Sequence, residues 1–384
     1  MSLVLNDEQQ LLRDSARRFV ERSYGIEDRR ALAASEAGFS DDHWRTFAEL
    51  GWLAVAVPEA HDGAGGGMSE IAVLMEAFGR GLVLEPFLST AVIGTALFAD
   101  VGSDEQCAAW LPAFAVGERR LALAVGEPQA RYDLHDVTTR AEPADGGFRI
   151  SGTKSVVYDA PAADVLVVAA RTEGAPRDET GITAFLIDPA SEGVELRSYP
   201  TIDGHRAAEV ALHGVFASDA QILGPRDGAL FALRRAVDRG CVALGAEAVG
   251  IMAMLIDMTR DYLKTRKQFG TTLERFQVLQ HRLVDMAMAH QVSEALVFRV
   301  AGDFDAMDES ERSRAAAAVK AQIGRAGRFV GQQAVQLHGG IGMTDELPLG
   351  HYFKRLSIID TMYGDAAYQL RRFGDLKVRR SGNA

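Results

Sequence analysis

The sequence predicts a multi-domain α+β chain: an N-terminal helical domain (1–118), a middle all-β domain (119–222) and a C-terminal helical domain (223–384). Three observations predict it. At roughly 100–200 residues per domain, 384 residues allow two or three domains. The hydrophobic period changes twice, from helical to short β-rich runs near Arg120 and back again beyond Gly224-Pro225. Hydrophobic residues make up 47% and charged residues 24%, a balance that folds rather than stays disordered.

The first helix opens at Asn6, an N-cap residue followed three positions on by Gln9, and carries Leu12, Ala16, Phe19 and Val20 on one face. The glycine cluster of His61-Asp62-Gly63-Ala64-Gly65-Gly66-Gly67-Met68 breaks the helical pattern and reads as a plain loop, because no Gly-Lys-Ser/Thr ending makes it a phosphate cradle. In the middle domain Leu121–Val125, Phe148–Ile150, Val165–Val168 and Thr183–Ile187 are strand-like, bounded by turns such as Asp145-Gly146-Gly147. The helices beyond Pro225 are rich in Ala, Leu, Met and Arg and continue to about Phe373, before a polar tail from Arg379 to Ala384.

Acidic residues outnumber basic ones 53 to 41, a net charge of −12, which gives a phosphate backbone no overall positive field and argues against nucleic acid. Cys107 and Cys241 are too few for a disulfide scaffold or thiolate cluster. His338 and His351 lack further ligands at zinc-like spacing, so no metal is expected. The amino terminus does not read as a signal peptide, so the expected location is cytoplasmic. The apolar run Gly240–Ile256 is shorter than the ~20 residues of a membrane span and holds Glu247, which makes it a buried helix.

Three stretches carry a family resemblance: Arg266-Lys267-Gln268-Phe269-Gly270, Phe276-Gln277-Val278-Leu279-Gln280-His281 and Gln336-Leu337-His338-Gly339-Gly340-Ile341-Gly342-Met343. Taken singly, the first is a helix end with a glycine cap and the last a common turn. In this order, in a helical third domain behind a β domain, they resemble the flavin-dependent acyl-CoA dehydrogenases over essentially the whole chain. The ending from Tyr363 to Arg372 is similar to the pimeloyl-CoA dehydrogenase small-subunit type.

The resemblance implies a four-helix-bundle third domain, an acyl-CoA substrate in pathways such as β-oxidation, FAD as cofactor and an electron-transferring flavoprotein as acceptor. It also implies a homo-oligomer (a dimer of dimers) or an assembly with a related second subunit. Arg266, Gln268, Phe269, Phe276 and Gln277 are implied to serve one cofactor, and Gln336, Leu337, Gly339 and Gly340 to come from a neighbouring subunit. The residue types suit a dinucleotide, which needs a cation for its pyrophosphate, amides for its adenine edge and glycines where backbone approaches it closely.

Dehydrogenating a thioester requires a carboxylate for the α proton. Where many family members place a glutamate before a glycine, this chain has Tyr363-Gly364; counting back seven residues from Arg372 selects Asp365 instead. A second family solution puts the base on the helix opening the third domain, where Asp238, beside the implied substrate-binding Arg239, and Glu247 are available. Nine positions at ~100° per residue come to about 900°, which sets these two acids on opposite faces. Glu247 is favoured, because it is the only charged side chain from 240 to 256 and a lone buried carboxylate is costly unless paired, protonated or useful. An interhelical ion pair is its equal alternative. Asp238 reads as a solvated or Arg-paired acid near a helix start.

In the β domain Gly126-Glu127-Pro128, Val156-Val157-Tyr158 and Arg131-Tyr132-Asp133 stand where the family usually has Thr-Glu-Pro, Trp-X-Thr and Gly-Ser-Asp. Two alternatives therefore accompany an active dehydrogenase: a weakly active partner subunit of a heteromeric enzyme, and a flavin monooxygenase on the same fold.

Overall fold

The structure, a computed structural model, describes residues 5–344 and 347–381, without the side chains of 377–381. Met1–Val4 and the side chains of the polar tail lie outside the described residues. Eleven helices are described: α1 (Asp7–Ser23), α2 (Ile26–Ala34), α3 (Asp41–Glu49), α4 (Met68–Gly81), α5 (Thr95–Val101), α6 (Asp104–Ala115), α7 (Leu230–Thr265), α8 (Gln277–Asp303), α9 (Glu309–His338), α10 (Leu349–Thr361) and α11 (Ala366–Ser381). Between α6 and α7 run β1 (Leu121–Ala124), β2 (Arg140–Ala144), β3 (Gly147–Tyr158), β4 (Val165–Arg171), β5 (Ile182–Ile187), β6 (Val194–Pro200), β7 (Arg206–Ser218) and β8 (Ile222–Leu223). The order is helices, strands, helices, as the period changes predict.

The capping box is formed: the Gln9 amide N–H donates to Asn6 Oδ1 at 2.8 Å and the Asn6 N–H to Gln9 Oε1 at 3.1 Å. Ala16 and Val20 on the predicted face are buried.

By compactness the chain divides within α2 and α7 into two units, one comprising Met1–Arg30, Met68–Val83 and Cys241–Ala384, the other Ala31–Gly67 and Leu84–Gly240. The first unit is helical and built around α7. By length and apolarity alone α7 would cross a membrane, but 72% of its apolar window is buried inside the protein. Glycines let α4 touch it backbone to backbone. A Cβ on Gly79 would lie 2.0 Å from the Glu247 carbonyl oxygen, and one on Gly250 2.0 Å from that of Glu76. Gly250→Ala should therefore force the helices apart and destabilise the protein by about 1–3 kcal/mol, read as a lower urea midpoint; an unchanged midpoint would refute the contact.

The second unit holds one eight-stranded sheet, ordered β6-β7-β3-β2-β4-β5-β8 with β1 parallel to β4. Phe148, Ile150, Leu166, Val168, Phe185 and Val210 are among its buried core. The glycine cluster is a loop, as the sequence predicts, and a packed one. Ala64, Gly65 and Gly66 donate amide N–H groups to the carbonyls of Ala54, Val57 and Val55, and a Cβ on Gly63 would lie 1.9 Å from Val57 O, so glycine is needed for close approach.

Candidate functional site

Beyond α7 the chain makes a short hairpin, Lys267–Gln268 paired with Thr271–Thr272. Its turn residues Phe269 and Gly270 have φ of 54° and 79°, the left-handed pair a tight hairpin requires. The Arg266–Gly270 string is thus a projecting hairpin and not a glycine-capped helix end. Phe269 is 90% exposed and meets Phe276 edge-on at 6.1 Å. A bulky residue at positive φ is strained, and such strain gathers at ligand sites. Arg266, Gln268 and Gln277 are exposed, and among the described residues no carboxylate pairs with Arg266.

At the end of α9 Gln336 is exposed and Leu337 buried. Gly339 stops the helix at φ 67°, and neither Gly339 nor Gly340 has any atom within 4 Å of where a Cβ would stand. These glycines present open backbone. The hairpin and the turn are linked behind their exposed faces: Tyr262, one helical turn before Arg266, stacks on His338 with ring centroids 4.5 Å apart and planes at 27°. His338 Nδ1 lies 2.8 Å from the Ala334 carbonyl, and burial pushes the ring below its usual pKa against the pull of that bond.

The three candidate acids have different surroundings. Glu247 is buried, and Arg355 of α10 holds both its oxygens, Nε to Oε1 at 2.6 Å and Nη2 to Oε2 at 2.9 Å. The guanidinium also faces Met362 Sδ at 3.9 Å. Asp365 caps α11, accepting the Tyr368 N–H at 2.8 Å, which follows from its place just before Ala366. Tyr363 sits at φ 54° before Gly364 at φ 111°. Asp238 is 1% exposed and partnered, which removes the solvated half of its reading as a solvated or Arg-paired acid: it lies two turns inside α7. Asp238 and Arg239 belong to the other unit.

Two polar groups near this region escaped the sequence reading. Arg355 stands 108 positions from Glu247 and no local pattern announces it. Lys320, fully buried on α9, donates from Nζ to the carbonyls of Ile359 at 2.5 Å and Asp360 at 3.1 Å, where α10 leaves acceptors unfilled. A lone cation in the run Ala316-Ala317-Ala318-Val319-Lys320-Ala321 was the available signal.

In the second unit Glu127 and Lys154 are both fully buried and bonded at 2.6 Å. The Ser155 N–H donates to the Gly126 carbonyl, so the Gly126–Pro128 turn and the start of the Val156–Tyr158 segment are joined. Val156 is strained at φ 52° and its N–H is held by Glu209 Oε1 at 3.3 Å.

Sequence profiles of the acyl-CoA dehydrogenase N-terminal, middle and C-terminal domains match residues 6–118, 122–215 and 227–375. The chain belongs to the acyl-CoA dehydrogenases. It shares 30% identity with the "Tcur3481-Tcur3483 steroid ACAD" structure, over 98% of this chain and 99% of that one, with TM-score 0.88. The ChsE4-ChsE5 complex from Mycobacterium tuberculosis is 26% identical, over 98% of both chains, with TM-score 0.87. Mitochondrial isovaleryl-CoA dehydrogenase of Oryza sativa subsp. japonica is 27% identical, over 97% of this chain and 91% of its own length. This acyl-CoA dehydrogenase is accordingly an oxidoreductase of a flavoprotein family.

Proposed function

We propose that this acyl-CoA dehydrogenase uses FAD to introduce an α,β double bond into an acyl-CoA thioester. The observation that carries the reading is the Tyr262–His338 stack, ring centroids 4.5 Å apart, which brings the exposed, unneutralised Arg266 hairpin and the open backbone of Gly339 and Gly340 together within one chain, so that here both segments are read as serving the same cofactor rather than reaching it from two subunits. That donor set suits a dinucleotide. Arg266 would oppose the pyrophosphate, Gln268, Gln277 and Gln336 would offer amides, Phe269 and Phe276 apolar surface, and Leu337, Gly339 and Gly340 backbone. FAD, when bound, supplies the acceptor for the β hydrogen. The chain must then take the α proton, for which Glu247 is the favoured carboxylate, with Asp238 and Asp365 as lesser alternatives and Arg239 on the substrate side. As base, Glu247 would take the proton on a lone pair that Arg355 leaves free, since the bidentate contact uses one acceptor site on each oxygen. An electron-transferring flavoprotein as acceptor and a cytoplasmic location complete this reading.

A specific observation favours a second reading, that of a partner subunit with little activity by itself. Glu247 is held through both oxygens, Asp365 is used as a helix cap, and a tyrosine stands at the usual base position. The two-protein ChsE4-ChsE5 complex among similar structures supports it, as does the likeness to the pimeloyl-CoA small-subunit type.

The test is the visible spectrum of the chain purified alone, before and after a panel of acyl-CoA thioesters, beside Glu247→Gln. The first reading expects flavin bands that bleach in wild type and persist in the variant. Bleaching in both removes Glu247 as base, and a folded chain that stays colourless with added FAD establishes the second reading instead.

A further inference from the structure

We propose that Tyr262 and His338 are a positioning pair for the cofactor site, fixing the Arg266 hairpin against the Gln336–Gly340 turn. The inference rests on the reading above that these two segments hold FAD. Sequence spacing separates them by about seventy residues, and the hairpin strands pair only with each other, so its backbone ladder does not fix it against the turn. The stack does so from behind. Tyr262 accepts the Arg266 N–H at its carbonyl at 2.9 Å, so the ring belongs to the turn from which the hairpin leaves. His338 is the last residue before Gly339, where the backbone swings to φ 67° and ψ −144°.

The histidine ring is itself restrained. Its Nδ1 is bonded to Ala334 O one turn back, and Gly342 packs against the base of the side chain, where a Cβ would lie 3.0 Å from His338 Cβ. A ring held on one edge by a carbonyl and on one face by an offset aromatic has little rotational freedom. Centroids 4.5 Å apart fall in the range where aromatic pairs attract beyond simple burial. Displacement of either ring would therefore move Arg266 relative to Gly339 and Gly340, and a charge misplaced by an ångström loses much of its contact with a bound phosphate.

Flavin-fluorescence titration of deflavinated protein with FAD tests this, using His338→Ala, Tyr262→Ala, the double variant, His338→Phe, Arg266→Gln and Arg266→Gln/His338→Ala. Each alanine variant should weaken FAD binding about tenfold, the double variant no more than about twofold beyond the weaker single, and His338→Phe should restore binding by keeping the ring. In the Arg266→Gln background His338→Ala should add little, a coupling that a merely structural role would not produce. Circular dichroism of every variant checks the fold. Additive losses, unchanged affinity or failure of phenylalanine to restore binding would overturn the positioning role while FAD binding by wild type stands. Wild type that binds no FAD would overturn the cofactor reading and this inference with it.

Discussion

Arg355→Met should destabilise the protein by about 3–5 kcal/mol, because it strands the Glu247 carboxylate, 3% exposed, without its partner. Glu247→Leu should have a loss of the same order by stranding the guanidinium. The double variant Glu247→Leu/Arg355→Met should recover most of it, since exchanging a buried ion pair for apolar side chains of similar size is often neutral or better. The reason is desolvation: two charges removed from water are repaid only while both bonds of the bidentate pair are made. Urea denaturation of the four proteins measures the cycle. Single variants within about 1 kcal/mol of wild type would mean that the pair is not closed in solution. The double variant also separates the two roles of Glu247. If its folded form keeps its flavin and still bleaches with thioester, Glu247 is a brace between α7 and α10 and the α proton goes elsewhere; if bleaching is lost while flavin and thioester bind, the base assignment gains its support.

This pair shows what the sequence could and could not yield. The element order was legible because helices and strands announce themselves through local period, and the capping box at Asn6 and Gln9 lies within four residues. Glu247 stood out for a local reason as well, as a charge inside an apolar run. Its partner is 108 residues away on another helix, and only the tertiary fold could choose Arg355 from the many arginines of the C-terminal region. The assembly of the helical unit from three separate stretches is hidden for the same reason. Two glycine-bearing segments are instructive in a different way. Gly270 looked like a helix cap, yet left-handed Phe269 beside it makes a hairpin turn, and nothing in a phenylalanine advertises positive φ. The cluster at Gly63–Gly67 is a loop, as expected, but the sequence did not show that Gly63 is required by the close approach to Val57.

The β domain should be the more acid-sensitive part of the protein because of Glu127. Burial by itself would raise this carboxyl, but the Lys154 ammonium beside it, with hydrogen bonds from Lys154, Thr138 and Gln129, outweighs burial and holds it at about 2 against an ordinary 4.5. A carboxylate whose folded pKa is depressed contributes stability that is complete above its unfolded value and is lost as pH falls toward the folded one, here from about 4.5 to about 2. Removing the carboxylate should be severe. Glu127 accepts from Lys154 Nζ at 2.6 Å, Thr138 N at 2.8 Å, Thr138 Oγ1 at 2.5 Å, Thr139 N at 3.1 Å and Gln129 Nε2 at 2.9 Å. Glu127→Ala removes the acceptor of all five donors, of which only Gln129 Nε2 keeps another partner in Asp136, and leaves a buried ammonium unpaired, a loss of about 3–5 kcal/mol or more. Lys154→Met leaves four donors on the carboxylate, so it should lose less, and it removes the largest force depressing the Glu127 carboxyl. The decisive comparison is urea stability of wild type and Lys154→Met from pH 7 down to pH 2.5. Wild type should hold its stability to near pH 4.5 and then decline, whereas Lys154→Met, starting from a lower plateau, should lose less over the same acid range, because its Glu127 carboxyl is no longer held far below the unfolded value. Parallel curves would show that the ion pair does not govern the acid limb, and a plateau for Lys154→Met below that of Glu127→Ala would reverse the order that the donor set implies.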